Sequence, residues 1–465
     1  MFKNLFEEIN DLIGEFLKKE ESWLVLLFAA GVVTIPFFVV ENLSALLLGF
    51  ITSTWWLWTF FILLPIFRDL ELHVRQTNFE SKITWVLLEL HMPREIEKSP
   101  RAMEQTLIAI YTLRNAPGNW IEKYIEGEVT RWFSLELVSF SGEIRFFART
   151  PERHRNAVEA AFFSYYPDIE ITEAEDYTNQ FPRDIIEVDE RGLDIYGSEL
   201  VLTKSPAYPI KTYPNFEEPE EARQVDPMAS MLEMMSKVKK GEIVCLQILI
   251  APAGSDWVEE AKKELEKLQT PAVAEVGTSE AKKLTPIIRS PGKTAILEEV
   301  ERNISKPAFN TLIRVFYVAP KEVYAREYVD KGIVGTFNQY GTLNLNMFRK
   351  NHVAQSSIKK TQSLLNRIFY KTRVQYRRNR FLYNFRRREV PPETMIGRIF
   401  TSYFFNYNFA SRWSVLNIEG LATIFHPPTS FVLTAPHMKR MESKKAGPSA
   451  GLSIFGDEEE IEKFK

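Results

Sequence analysis

The stretch "WFSLELVSFSGEIRFFARTPERHRNAVEAAFFSYYPDIEITEAE", residues 132–175, decides the fold. Two β-rich runs, "WFSLELVSF" and "EIRFFART", flank Ser141-Gly142, a hairpin turn signal. Thr150-Pro151 is expected to cap the helix "ERHRNAVEAAFFSYY", and "DIEITEAE" closes as a strand. Upstream, "ITWVLLELHMP" is an apolar β-rich run ended by Pro93. Ser99-Pro100 then offers an N-cap and a first-turn proline to "RAMEQTLIAIYTL". The order over 82–176 is β-α-β-β-α-β, the ferredoxin-like plan.

A second α/β region follows over 184–341. Asp226-Pro227 starts a Met-rich helix, "EIVCLQILIAP" and "TLIRVFYVAP" read as strands, and "SDWVEEAKKELEKL" and "KEVYAREYVDKG" read as helices. Residues 144–152 and 313–321 share strand, proline and helix start in one register, which suggests a divergent second copy of the first domain. Not all four strands of that copy can be placed. Met228, Met231, Met234 and Met235 suit either a binding face or the core, and core packing is the expectation. The single cysteine, Cys245, sits in an apolar run and is expected in the core; one thiol makes no internal disulfide.

The N-terminus reads as membrane-bound. Trp23–Val40 and Ser44–Phe67 carry no charge, and as helices they are roughly 27 and 36 Å long against a hydrocarbon core of about 30 Å. Only Glu41, Asn42 and Leu43 link them, so the pair is expected to be an antiparallel hairpin over 22–68. Lys18, Lys19, Arg68 and Arg75 lie on one side of it and no Lys or Arg lies in the link. The positive-inside rule then puts both termini in the cytoplasm, as a two-pass protein of the cell (inner) membrane. Residues 1–21 read as an amphipathic helix with an acidic polar face. The fold class expected is therefore α+β: a two-helix transmembrane hairpin, a ferredoxin-like domain and a second related α/β domain.

The charge is unevenly placed. The 465 residues carry a net charge of −3, yet no Asp or Glu lies between Gly332 and Arg388. Within the segment 342–389, "YKTRVQYRRNRFLYNFRRR" mixes bases with aromatics: Lys371, Arg373, Tyr376, Arg377, Arg378, Arg380, Phe381, Tyr383, Arg386, Arg387 and Arg388. Such a stretch can track phosphates and stack bases, dock on anionic lipid, meet an acidic protein, or be a helix whose Tyr and Phe pack inward. A small α/β segment over 390–437 and a flexible tail over 438–465 complete the chain.

Signals for catalysis are weak. "SPGKT", residues 290–294, lacks the earlier glycine of a phosphate loop, since Ile287 stands there; a capped helix starting at Pro291 is the better reading. The six histidines show no metal-ligand spacing, and His426 in "FHPP" reads as a turn residue. No enzyme activity, cofactor or metal is expected.

Four motifs together carry a family resemblance: "LELHMPREIEKSPRAMEQTL", the stretch from Trp132 to Thr178, "SKPAFNTLIRVFYVAPKEVY" and "LNIEGLATIFHPP". They resemble the membrane-anchored, non-ATPase region associated with conjugation-like, type IV secretion DNA translocases of the FtsK/HerA class. That family's pattern Asn-x-Glu-Glu-Leu-Ala is met by Asn417, Glu419, Leu421 and Ala422, with Gly420 departing from it. The resemblance implies a membrane-anchored assembly platform for a hexameric ATPase supplied by another chain, with DNA and self-association as further partners. The other expectation left open is a membrane protein that binds nucleic acid through the basic segment without a motor. Because Lys293 reads as a helix residue, Lys293→Ala is expected to leave partner assembly intact; tight ATP binding that disappears in this variant would contradict the reading.

Overall fold

A computed structural model describes residues 43–93, 98–216, 225–269, 273–276, 283–286, 291–358, 370–402 and 410–428. The amphipathic helix expected over 1–21, the apolar run Trp23–Val40, the bases Lys359, Lys360 and Arg367 of the segment 342–389, and the tail lie outside the described residues. The chain divides into two units, residues 1–71 and 72–465.

Helix α1, Leu43–Ser81, contains Pro65 and leaves Leu48, Phe50, Trp55, Trp56, Phe60 and Phe61 exposed. An apolar helix without a polar face suits either a protein core or a bilayer. Among the described residues α1 is the one helix long and apolar enough to cross a membrane.

The elements after α1 are β1 (Trp85–His91), α2 (Arg101–Tyr111), β2 (Phe133–Phe140), β3 (Glu143–Pro151), α3 (Arg155–Tyr165) and β4 (Glu170–Ala174). There follow α4 (Ile185–Glu190), β5 (Leu193–Leu202), α5 (Ala229–Ser236), β6 (Ile243–Pro252), α6 (Asp256–Gln269), β7 (Val273–Val276), β8 (Lys283–Pro286) and α7 (Pro291–Ile304). The last group is β9 (Ala308–Pro320), β10 (Phe348–Gln355), α8 (Tyr370–Arg387), α9 (Met395–Ser402), β11 (Ser414–Asn417) and α10 (Ile418–Ile424).

The protein is mixed α+β with one large antiparallel sheet, in the order β10-β5-β9-β6-β2-β3-β1-β4, with β11 added beside β9. Read in chain order from either edge, each half runs 4-1-3-2. The halves join where β2 pairs with β6, from Phe133↔Ile250 to Phe140↔Ile243. Four strands of the second half are thus placed, and β10 is its fourth, inside the segment read as basic and aromatic. The first half turns between its middle strands at Ser141 and Gly142, both at positive φ, as a tight hairpin requires. At the matching place the second half inserts residues 253–307, which hold α6, β7, β8 and α7. Where "KEVYAREYVDKG" reads as an α-helix, the chain forms a π-turn, Tyr328–Ile333, and a 3-10 turn, Val334–Tyr340. Gly332 lies against the Met234 methyl there, and a Cβ would come within 2.5 Å of it. Thr150-Pro151 belongs to β3 rather than to a cap; α3 starts at Arg155 without a side-chain cap.

Each face of the sheet is covered by its own layer. On one, Met103, Leu107, Phe162, Met231, Met235 and Leu421 pack against Leu135, Phe146, Ile248 and Val315. Met228, Met231 and Met235 are fully buried there, so these methionines are core. On the other face Phe381, Leu382 and Phe385 of α8 lie on Phe147, Cys245 and Phe316. The Phe316 and Phe385 rings stack at 4.3 Å. Cys245 is fully buried, and burial pushes its thiol well up. Two covered faces explain why β2 and β6 are buried at nearly every position and show no clean alternation. At the β4 edge, exposed Glu170 and Glu173 discourage further strand pairing.

Gly197 of β5 is where α8 comes closest: a Cβ there would lie 2.2 Å from the Phe381 ring. Gly197→Ala is expected to cost about 1–3 kcal/mol by overpacking. In a Phe381→Ala background the same change should cost far less. Equal costs in both backgrounds, measured by urea unfolding, would contradict the packing of α8 on β5.

Candidate interaction site: the basic helix and the cavity at its end

Sequence reasoning places the basic stretch at a partner. The structure places much of it against the sheet. Arg373, Arg377, Phe381 and Arg388 are buried, Arg378, Arg380 and Arg386 are half-buried, and Lys371, Tyr376, Tyr383 and Arg387 are exposed. Phe381 is in the core, so it offers no ring to a nucleobase in this conformation. Arg378 pairs with Asp194 of β5. Arg387 Nη1 donates to the Tyr383 hydroxyl at 2.7 Å, and the Arg380 and Arg387 guanidinium groups each lie 4.9 Å from the Tyr383 ring. Among the described residues of this stretch, Lys371 and Arg387 are the cations classed as exposed.

Beneath the helix a row of polar side chains crosses the sheet in register: Glu199 opposite Arg314, Arg314 opposite Gln247, and Gln247 opposite Glu136. All four are fully buried. Arg314 Nε donates to Glu199 Oε1 at 2.9 Å, and Arg314 Nη1 to Gln247 Oε1 at 3.4 Å and the Asn384 carbonyl at 3.2 Å. Gln247 Nε2 donates to the Phe385 carbonyl at 3.2 Å. Sheet side chains thereby add a second donor to carbonyls of the last turn of α8, which also accept from the Glu389 and Arg388 N–H groups.

The row ends at Arg388. Its Nε and Nη2 donate to the two Glu136 oxygens at 2.7 and 3.0 Å, and its Nη1 and Nη2 to Asp176 at 2.6 and 3.1 Å. The Tyr177 hydroxyl donates to Glu136 at 2.6 Å, and Ser134 also bonds it. Burial opposes ionisation of Glu136, but Arg388 and these donors outweigh it and hold the carboxyl below the usual range. Asp176 is held low in the same way. Arg388 stands at φ 53°, the left-handed position after α8, and the Glu389 N–H reaches back to the Asn384 carbonyl at 2.9 Å. Glycine usually takes this place, and an L-residue costs roughly 1–2 kcal/mol there. The paired guanidinium explains why arginine stands here. One strand over, Arg149 lies 4.0 Å from the Trp85 ring; burial first, and the Arg388 charge second, push it down to about 9.

At the C-terminal end of α8 is a cavity of about 570 Å³, within the range of small-molecule pockets. Arg380, Arg398 and Arg412 line it with Glu389, Glu393 and Trp413. Asn384 and Ser411 also border it, and Ser411 donates to Glu199 at 2.7 Å. Burial raises Glu199 despite Arg314 and Ser411. Arg380 Nε and Asn384 Oδ1 have no hydrogen-bond partner. No group of three metal-ligating side chains occurs among the described residues.

The remaining sequence candidates are internal. His426 is buried; its Nδ1 faces the Ala422 carbonyl at 2.7 Å and its Nε2 faces Asp226 at 3.1 Å. Asn417 caps α10, and Glu419 pairs with Lys306 at 2.5 Å and Arg302 at 2.7 Å. Gly420 is buried, and a Cβ there would lie 3.3 Å from Asn417 Oδ1, so a larger residue would have to displace the cap side chain by a few tenths of an ångström. Sequence reasoning missed Glu136, Glu199, Gln247 and Arg314. The signal was present: each is a charged or amide residue inside a largely apolar strand.

Fold and site together define an α+β protein whose sheet is closed on one face by a basic helix held through buried ion pairs. The chain belongs to the DUF8128 family, described as a domain of unknown function, whose model matches residues 74–383. No curated protein matches it.

Arg388→Met strands a buried carboxylate and is expected to cost about 3–5 kcal/mol at neutral pH. Glu136 and Asp176 have depressed folded values. Their contribution is present above the unfolded value, about 4, and is lost as pH falls through the folded values. The stability gap between wild type and Arg388→Met should therefore narrow as pH falls below about 4. A gap that stays constant with pH would contradict the ion pair.

Proposed function

We propose that the protein is a membrane-anchored assembly platform that holds a soluble partner at the cytoplasmic face of the cell membrane. On the family resemblance, that partner is a hexameric DNA-translocating or secretion ATPase. Helix α1 and the upstream apolar run Trp23–Val40 would form the two-pass anchor, with both termini cytoplasmic. The two sheet halves, each with the strand order 4-1-3-2, would be ferredoxin-like repeats that carry the docking surface.

The observation that supports this reading is how α8 distributes its charge. Tight nucleic-acid binding rests on many phosphate contacts, each paid back by counterion release. The helix and the residue after it commit Arg378 and Arg388 to ion pairs with the body, bury Arg373 and Arg377, and leave Lys371 and Arg387 exposed. Two exposed cations beside Tyr376 and Tyr383 make a poor phosphate track. They suit the centre of a protein interface, where tyrosine and arginine are enriched.

The test is a mild-detergent pull-down of the full chain from native membranes, beside the variant Tyr383→Ala/Arg387→Glu. Wild type should recover a Walker-type ATPase, and the variant should lose it at unchanged melting temperature. If wild type recovers no ATPase and binds DNA with a log–log salt slope of several times about −0.9, the nucleic-acid reading replaces this one.

A further inference from the structure

We propose that the cavity at the C-terminal end of α8 binds a small hydroxylated phosphomonoester, of the size of a mononucleotide or a sugar phosphate. Arg380 and Arg412 hold the phosphate, and Glu389 and Glu393 accept from hydroxyl or amino groups on the rest of the ligand. The cavity would take this ligand whether or not α8 docks a partner.

The charge on its walls is not neutralised by the fold. Glu389 and Glu393 line the same cavity, yet among the described residues neither Arg380 nor Arg412 has a carboxylate within ion-pair distance. Arg380 is half-buried, and its Nε has no hydrogen-bond partner. Its neighbours Arg378 and Arg388 are each paired with a carboxylate of the body. Guanidinium groups that share one enclosed space without counter-charges repel each other, more strongly as the effective dielectric falls. An anion between them removes that cost. A phosphate suits the planar fork of arginine, which donates to it through two parallel hydrogen bonds. Arg398 of α9 brings a third guanidinium to the same walls.

Size and the remaining lining decide what the phosphate is attached to. At about 570 Å³ the cavity is in the range of organic ligands and far larger than a bare inorganic anion fills. Glu389 and Glu393 repel a second anionic group and accept hydrogen bonds from hydroxyl or amino groups. Trp413 offers an aromatic ring to a sugar or a base. The walls are tied to the body: Ser411 donates to Glu199 at 2.7 Å, Asn351 Nδ2 to the Ala410 carbonyl at 2.9 Å, and Arg398 Nε to the Pro392 carbonyl at 3.3 Å. Pro391 and Pro392 fix two φ angles in the loop after α8. Walls set in advance lower the ordering cost of binding.

The test is isothermal titration calorimetry of the full chain in phosphatidylcholine nanodiscs. The probes are AMP and glucose 6-phosphate, beside adenosine, glucose and inorganic phosphate. At least one of the two phosphomonoesters should bind, and its phosphate-free counterpart should bind about 100-fold more weakly. Inorganic phosphate should compete for the site with lower affinity than the phosphomonoester. Arg380→Gln and Arg412→Gln should each weaken the phosphomonoester by about tenfold or more. Arg412 is exposed, so its variant should keep the melting temperature of wild type. Binding of neither phosphomonoester at about 1 mM overturns the inference. Adenosine that binds as tightly as AMP, or an affinity unchanged in both arginine variants, overturns it as well. Inorganic phosphate that binds as tightly as the phosphomonoesters contradicts the assigned ligand class.

Discussion

The ion pair of Arg388 with Glu136 holds the second layer of this protein in place. Both groups are fully buried, and a buried charge without its partner costs several kcal/mol. Helix α8 can lie on the sheet only if its C-terminal end places Arg388 over Glu136 and Asp176. That placement fixes the left-handed turn after the helix and brings its last carbonyls to Arg314 and Gln247. The packing of Phe381 into the space above Gly197 follows from the same constraint. Charge here specifies where a helix sits, while the apolar contacts of Phe381 and Phe385 supply most of the attraction.

The same helix spans the line between the two halves. Glu136 belongs to the first half, Gln247 and Arg314 to the second, and α8 with the Arg388 that follows it touches all three. The halves share the β2–β6 ladder on one level and this polar row on another. The exposed side of α8 is therefore a surface backed by both halves.

Much of the first half was legible in the sequence, because its strands are short, regularly punctuated and joined by a local turn at Ser141-Gly142. The second half was legible only in part. Its insertion over 253–307 separates strands that pair with each other, and its last helical turns run as π and 3-10 segments. The role of α8 could not be read from its own residues. Its charge suggested an outside partner, whereas the carboxylate that binds Arg388 is 252 residues away in the chain. Local composition records charge but not the distant strand that answers it. The polar interruptions at Glu136, Glu199, Gln247 and Arg314 were the available clue. A polar residue in a buried strand needs a partner, and Arg388 of the basic stretch supplies one to Glu136.

The central claim is that the basic helix is part of the folded body and not a solvated arm awaiting a polyanion. Native-state hydrogen exchange of the full chain tests it most directly. The account predicts that amides over residues 378–388 open together with those of β2 and β6, at the free energy of global unfolding, with no change when duplex DNA is added at low salt. Fast, independent exchange of this segment, slowed by DNA, would contradict it.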